Sequence, residues 1–257
     1  MTKIEIIDDQ HLLKLAAQHS VEGRSELAGT ISNLFDESAG SLSDRERILM
    51  FDILRSIIHD VEMSVRRKLS EMLAGFPDAP QDLIRTLAND EIEIAYPILN
   101  KSVVLRDADL IEVIRNRTLE HQLAIATRES VSEEVSDALV STGDKGVIKE
   151  LLSNPKSRIS NATMEYLAEE SRRVDTFQEP VVHHTDLAPE LAQRMFIWVS
   201  ASLRDHILTR FNFDATTIDV LLLDAATAEM ELVEAHAKEK SKSSLLAQEL
   251  KNEGLLN

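Results

Sequence analysis

Apolar residues recur at helical spacing along almost the whole chain, and the strict alternation typical of β-strands is almost absent. Only seven glycines and six prolines interrupt the 257 residues, so the chain lacks the turn residues that a sheet-rich protein needs. Helix starts are marked by two predicted capping boxes, Ser43 with Glu46 and Ser130 with Glu133, and by Pro189 in a first turn. The sequence therefore predicts an all-α fold.

Short helices with brief connections are typical of stacked helical hairpins. Three segments end in an asparagine, at Asn89, Asn116 and Asn154, and each is followed by a helix with an apolar stripe. These loose copies predict irregular HEAT-like helical repeats that form an α-solenoid. The alternative is a compact, non-repeating multi-helix bundle.

The pattern changes near Asp214. We therefore predict a HEAT-like domain over 1–213 and an acidic C-terminal helical segment over 214–257. In that segment Ile218, Leu221 and Ala225 begin an apolar stripe, and a polar break follows at 238–244. We expect either the start of a truncated further hairpin or a helix that docks on another chain.

Composition excludes several classes of protein. The absence of cysteine excludes disulfides and thiolate chemistry, and the acidic N-terminus MTKIEIIDDQ does not resemble a signal peptide. The densest apolar run, 220–223, is far shorter than the roughly 20 residues of a membrane span. A net charge of −17 disfavours nucleic acid as the main ligand, and the best basic cluster, 66–68, is flanked by Glu62 and Glu71. We expect a cytoplasmic protein that binds neither membrane nor nucleic acid.

Several strings in a fixed order carry a family resemblance: SVEGRSELA, IHDVEMSVRRKLSE, LANDEIEIAYPIL, VLRDADLIEVIR and MFIWVSASLRDHIL. From about Leu12 to about Leu223 the chain resembles the alphaproteobacterial domain of unknown function 2336 family, an uncharacterised family of HEAT-like helical proteins. The resemblance implies a helical-repeat fold in a cytoplasmic bacterial protein and implies no activity. Members often continue beyond the point where this chain stops, which favours the truncated hairpin.

No catalytic motif stands out, and we expect no enzyme activity and no cofactor. The one dense group of metal-ligand residues is His183, His184 and Asp186. A structural interpretation is preferred, since adjacent side chains rarely point to one centre and Asp186 is placed to cap the helix that starts at Pro189. His121 is either a phosphoacceptor on an exposed face or, as we prefer, a histidine that faces solvent or has its hydrogen bonds satisfied within the protein.

The function predicted from the sequence is a non-enzymatic protein-interaction adaptor or regulator whose acidic helical-repeat surface binds a protein with a basic surface. Candidate contact residues are Glu91, Glu93, Glu120, Gln122, Lys156 and Arg158. One alternative is a sensor of a small anionic ligand such as a nucleotide messenger, bound by Arg66, Arg67, Arg115, Arg117 and Arg128. A second alternative is a metal-dependent enzyme, and the sequence leaves the oligomeric state open.

Overall fold

A computed structural model describes residues 21–38, 43–214, 216–228 and 230, and within them the secondary structure is helical apart from one isolated β-bridge between Val131 and Ser157. The all-α prediction is confirmed. The helices are α1 Val21–Ser38, α2 Asp44–Ile57, α3 Met63–Leu73, α4 Gln81–Ala88, α5 Ile92–Lys101, α6 Asp107–Asn116, α7 Leu119–Ala126, α8 Glu133–Val140, α9 Lys145–Ser153, α10 Asn161–Glu170, α11 Gln178–His183, α12 Pro189–Met195 and α13 Ala201–Phe211. Short 3-10 helices span Ile58–Asp60 and Asp175–Phe177.

Two of the predicted helix starts are confirmed. Ser43 caps α2: its hydroxyl accepts the backbone N–H of Glu46, and the Glu46 carboxylate accepts the backbone N–H of Ser43 at 2.8 Å. Pro189 occupies the first turn of α12, where its missing N–H has no helical partner to lose.

Two predicted caps are wrong. The cap of α8 is Ser132, not Ser130, because the Ser132 hydroxyl accepts the N–H of Val135 at 3.3 Å and the helix begins only at Glu133. Asp186 does not cap α12 either. The N-cap residue of α12 is Ala188, which forms no side-chain cap. Pro189, at the first helical position, has no backbone N–H, so one fewer donor at this helix start needs a partner.

Contacts divide the chain into two compact units, Met1–Ser160 and Asn161–Asn257. In the first unit the odd-numbered helices pack on one another in order: α1 on α3, α3 on α5, α5 on α7, and α7 on α9. Helix α6 also packs on α8. Apolar stripes form the core; Leu69, Ile94 and Ile98 are fully buried. Each such side chain contributes about 1.5–3 kcal/mol on burial.

The three predicted asparagine boundaries are confirmed as helix ends. Asn89 and Asn154 follow α4 and α9, and Asn116 is the last residue of α6. The Asn154 side-chain amide also donates to the carbonyls of Ala126 and Arg128, at 3.0 and 2.7 Å. These two hydrogen bonds connect the end of α9 to the end of α7. That these segments are copies of one repeat stays a prediction.

The second unit contains α10 to α13 and a further helical segment over 216–228. Helix α10 contacts α11 and α12, and α13 contacts the same two helices. Phe196 and Met195 are fully buried at the end of α12. The predicted domain boundary, between residues 213 and 214, differs from the division between the two units, which falls between Ser160 and Asn161. The predicted boundary stays a prediction. Of the predicted C-terminal segment, 231–257 lies outside the described residues.

None of the helices in the described part of the chain is both long enough and apolar enough to cross a membrane.

Candidate functional site

The N-terminal ends of α5 and α7 lie side by side and are tied together by hydrogen bonds. The imidazole Nε2 of His121, in the first turn of α7, donates to the Asp90 carbonyl just before α5 at 3.0 Å. Its Nδ1 lies 2.9 Å from the Thr118 hydroxyl. The Arg117 guanidinium donates to the carbonyls of Asn89 and, at 3.1 Å, Asp90. These bonds fix the geometry of the two helix starts.

An open depression of about 610 Å³ lies at these helix starts. It is lined by Asp90, Glu91, Ile92, Glu93, Asn116, Arg117, Thr118, Glu120 and His121. Its walls carry four carboxylates against one guanidinium. We call it the acidic depression. A concave site lined by one sign of charge concentrates the electrostatic field and attracts ligands of the opposite charge.

Three of the four carboxylates in the acidic depression face solvent. Asp90 is the exception, because its carboxylate forms an ion pair with Arg66 at 2.8 Å and both side chains are less than 20% exposed. Glu91, Glu93 and Glu120 are exposed. A hydrogen bond from Thr118 lowers the pKa of Glu120 below its ordinary value of 4.5, which keeps this carboxylate charged. The N-terminal ends of α5 and α7 also favour negative charge.

The predicted contact residues fall into two groups. Glu91, Glu93 and Glu120 come together in the acidic depression. The other three have partners within the first unit: the Gln122 amide donates to the Ile114 carbonyl at 2.9 Å, Lys156 pairs with Glu129 at 2.6 Å, and Arg158 pairs with Glu133 at 3.6 Å. The structure therefore brings three of the six residues into one site.

Four of the five arginines proposed for an anionic ligand are held by the protein itself. Arg66 pairs with Asp90, Arg67 pairs with Glu71 at 3.1 Å, and Arg117 and Arg128 donate to backbone carbonyls. Arg128 is only 8% exposed. Arg115 is exposed and, among the described residues, makes no hydrogen bond or ion pair. Since an anion site needs several unpaired guanidinium groups, this geometry gives little support to the sensor hypothesis.

His183, His184 and Asp186 do not converge on one point. His183 is exposed, and its Nδ1 donates to the Glu179 carbonyl at 2.8 Å. His184 is 2% exposed, and its Nδ1 accepts the backbone N–H of Asp186 at 3.2 Å. Burial lowers the pKa of His184 below its ordinary value of 6.5. Over the described ranges, no group of three or more histidine or carboxylate side chains is arranged to hold a metal ion.

The partner of His183 is a residue that sequence reasoning missed. His206, on α13, places its ring centroid 4.1 Å from that of His183. The two histidines are 23 residues apart on separate helices. No periodicity within one helix joins them, so the pair could be found only from the packing of α11 on α13.

His121 is not placed to act as a phosphoacceptor. Its side chain is 2% exposed, and both ring nitrogens lie within 3.0 Å of protein oxygens. Phosphoryl transfer between proteins requires an accessible imidazole. The histidine instead holds the starts of α5 and α7 together.

The fold and this site define an all-helical protein with an acidic depression formed by two helix starts. Residues 94–257 match the family described as an uncharacterised protein conserved in bacteria, DUF2336. The chain belongs to this family. The matched region begins at residue 94, whereas the resemblance seen in the sequence begins near Leu12. The matched region also includes the acidic C-terminal segment. No curated protein and no solved structure matches the chain.

Proposed function

We propose that the chain is a non-enzymatic adaptor or regulator in the bacterial cytoplasm that binds a basic segment of a partner protein in the acidic depression. One observation carries the proposal: Glu91, Glu93 and Glu120, from two helices that are not consecutive in sequence, line one open site. Lysine and arginine side chains of a partner match such a site, and the overall charge of −17 favours the same partner during encounter.

Exposed apolar side chains near these carboxylates add to the support. Tyr96, 49% exposed, lies three residues after Glu93 and therefore on the same side of α5. Leu119, 44% exposed, precedes Glu120 in the first turn of α7. Interfaces between proteins combine an apolar centre rich in aromatic residues with a polar rim, and this mixture is typical of them.

The proposal includes a HEAT-like repeat architecture, which recurring contacts support. Arg117, Arg128, Asn154 and Arg210 each donate to a backbone carbonyl 28 or 29 residues earlier in the chain. Each contact ties a later segment to the C-terminal end of an earlier helix. Stacked helical hairpins of this size present extended surfaces suited to a peptide or helix.

The test compares two triple variants of the full chain with equal changes in charge. The first replaces the carboxylates of the acidic depression, Glu91→Gln, Glu93→Gln and Glu120→Gln. The control, Glu26→Gln, Glu134→Gln and Glu150→Gln, removes three exposed glutamates elsewhere in the first unit. Tagged wild type and both variants are used to capture partners from native lysate at low and moderate salt.

A partner recovered stoichiometrically by wild type and control, and lost with the depression variant, supports the proposal. Carbodiimide cross-linking of that complex should join partner lysines to Glu91, Glu93 or Glu120. Moderate salt should weaken capture, because exposed charges are screened over about 8–10 Å. Equal recovery by both triple variants, or cross-links only elsewhere, would overturn the assignment of the site.

A further inference from the structure

The helical segment over 216–228, in the second unit, carries apolar side chains on more than one side. Leu221 and Ala225 form its buried side, with 7% and 2% of their surface exposed. Adjacent residues on a helix point about 100° apart, so Val220 and Leu223 point away from that side, and they are 57% and 68% exposed. A helix with apolar residues all round is normally buried all round. In the described part of the chain, nothing covers this second side.

The exposed side has the residue spacing of a helix–helix interface. It consists of five exposed residues at intervals of four, three, four and three: Thr216, Val220, Leu223, Thr227 and Met230. This spacing aligns side chains along one seam that packs against a second helix. Of the eleven large apolar side chains that are exposed in the described part of the chain, four are concentrated here: Val220, Leu222, Leu223 and Met230. We call the five aligned residues the exposed seam.

Exposed carboxylates border the exposed seam on both flanks. Asp219 precedes Val220 and Asp224 follows Leu223, which are the flanking positions for a seam of this spacing. If the seam paired in parallel with a second copy of the chain, Asp219 of one helix would face Asp224 of the other, and like charges repel. An antiparallel pair supplies no cation either, because residues 211–230 include four acidic residues and no lysine or arginine. The flanking charge therefore favours a different partner, one with basic flanks.

An open depression of about 490 Å³ adjoins the exposed seam beside Val220. Its lining combines apolar and acidic side chains, among them Ile197, Val220, Glu190 and Asp224. Arg194 also lines it, but its guanidinium pairs with the Glu165 carboxylate at 2.7 Å, which compensates its charge. The depression therefore continues the apolar and acidic character of the seam, and it has room for a side chain of a helix that lies along the seam.

We propose that the exposed seam binds an amphipathic helix of another protein, one that has apolar residues at the same spacing and lysine or arginine on its flanks. An amphipathic helix binds such a surface through apolar anchors three and four residues apart. Flanking charges of opposite sign select the partner and its orientation. The seam lies in the second unit and shares no residue with the acidic depression, so this proposal does not depend on the adaptor function proposed above.

The probe is a synthetic helical peptide with leucine at the seam positions of each heptad and lysine at the flanking positions. A matched peptide has glutamate in place of lysine. Because the chain has no cysteine, Leu222→Cys in the full chain gives a single thiol beside the seam for an environment-sensitive fluorophore. Ile48→Cys, at a similarly exposed position of α2, is the control. The lysine peptide should shift the emission of the dye at position 222 to shorter wavelength and reach saturation. It should leave the dye at position 48 unchanged.

Fluorescence anisotropy of the labelled peptide measures affinity for unlabelled full-length variants, and circular dichroism checks that each is folded. Val220→Ser with Leu223→Ser should weaken binding roughly tenfold or more, whereas Ile48→Ser with Leu49→Ser, an equal loss of exposed apolar surface on α2, should not. A charge variant, Asp219→Asn with Asp224→Asn, tests the flanks without changing the seam and should weaken binding of the lysine peptide. The triple glutamine variant of the acidic depression should bind like wild type, which separates this proposal from the adaptor function.

The proposal is overturned if the lysine peptide leaves the dye at position 222 unchanged, if the glutamate peptide binds equally well, or if both the seam and charge variants keep wild-type affinity. It is also overturned if the thiol at position 222 reacts only after denaturation, because the seam is then covered by the chain itself or by a second copy. Light scattering, which gives the mass in solution, distinguishes these two coverings.

Discussion

Replacing Arg128 by alanine should lower the free energy of unfolding by about 3 kcal/mol. The guanidinium is buried and donates to the carbonyls of Leu99 and Ser102, the latter at 2.8 Å, at the C-terminal end of α5. A hydrogen bond from a charged donor contributes about 1.5–3 kcal/mol, and two bonds at the lower end of that range give this estimate. Alanine would leave carbonyls of two fully buried residues without a donor.

The measurement is urea denaturation followed by circular dichroism at 222 nm. The control is Arg115→Ala, which removes an exposed arginine and should change stability by less than about 0.5 kcal/mol. Arg128→Lys should restore only part of the loss, because an ammonium group cannot bridge two carbonyls as the planar guanidinium does. If Arg128→Ala and Arg115→Ala unfold at the same urea concentration with the same slope, the reasoning is refuted.

Three further predictions use the same assay. Asn154→Ala should cost about 1–2 kcal/mol, because it removes two hydrogen bonds to carbonyls at the end of α7; no shift in the midpoint would contradict this. Gly143→Ala should lower the free energy of unfolding by about 1–2 kcal/mol, because Gly143 has a φ of 73°, which alanine adopts only with strain. Gly29→Ala, within α1, should raise the free energy of unfolding by about 0.5–1 kcal/mol, because a Cβ there meets no atom within 4 Å. Changes of the same sign in the two variants would contradict the backbone argument. Burial lowers the pKa of His184, so the unfolded state binds its proton more readily; the stability this histidine contributes is present above pH 6.5 and is lost as the pH falls towards the folded-state pKa. The drop in stability between pH 7.5 and 5.5 should therefore be smaller in His184→Gln, and an equal drop would contradict it.

The fold class was predictable because helical periodicity and helix-start signals are local. Ser43 reaches Glu46 within one turn, so a short sequence window contains the whole capping box. The same window failed at Ser130, because Ser132 two residues later is an equally good cap and lies closer to the first apolar residue of α8, Val135. Sequence alone does not decide between two serines that compete for one helix start.

The candidate site was only partly predictable. Glu91 and Glu93 are neighbours in sequence, but their approach to Glu120 depends on the packing of α5 on α7, two helices that are not consecutive. In the sequence His183 was grouped with His184 and Asp186, its neighbours along the chain. Helix α11 ends at His183, and the backbone of His184 is extended, so His184 is buried where His183 is exposed. The ring that lies against His183 belongs to His206, on α13.

The distribution of charge, more than its total, is the reason that we propose a basic protein partner and not a small anion. Arg117, Arg128, Arg204 and Arg210 all donate to carbonyls at or just beyond the C-terminal ends of helices, where the helix dipole is negative. These guanidinium groups satisfy acceptors that would otherwise lack donors, so they are committed to the chain's own backbone. Carboxylates such as Glu91 and Glu93 sit at a helix N-terminal end and remain exposed. The proposed adaptor needs exposed carboxylates to bind a basic segment, and Glu91 and Glu93 at the acidic depression are such carboxylates.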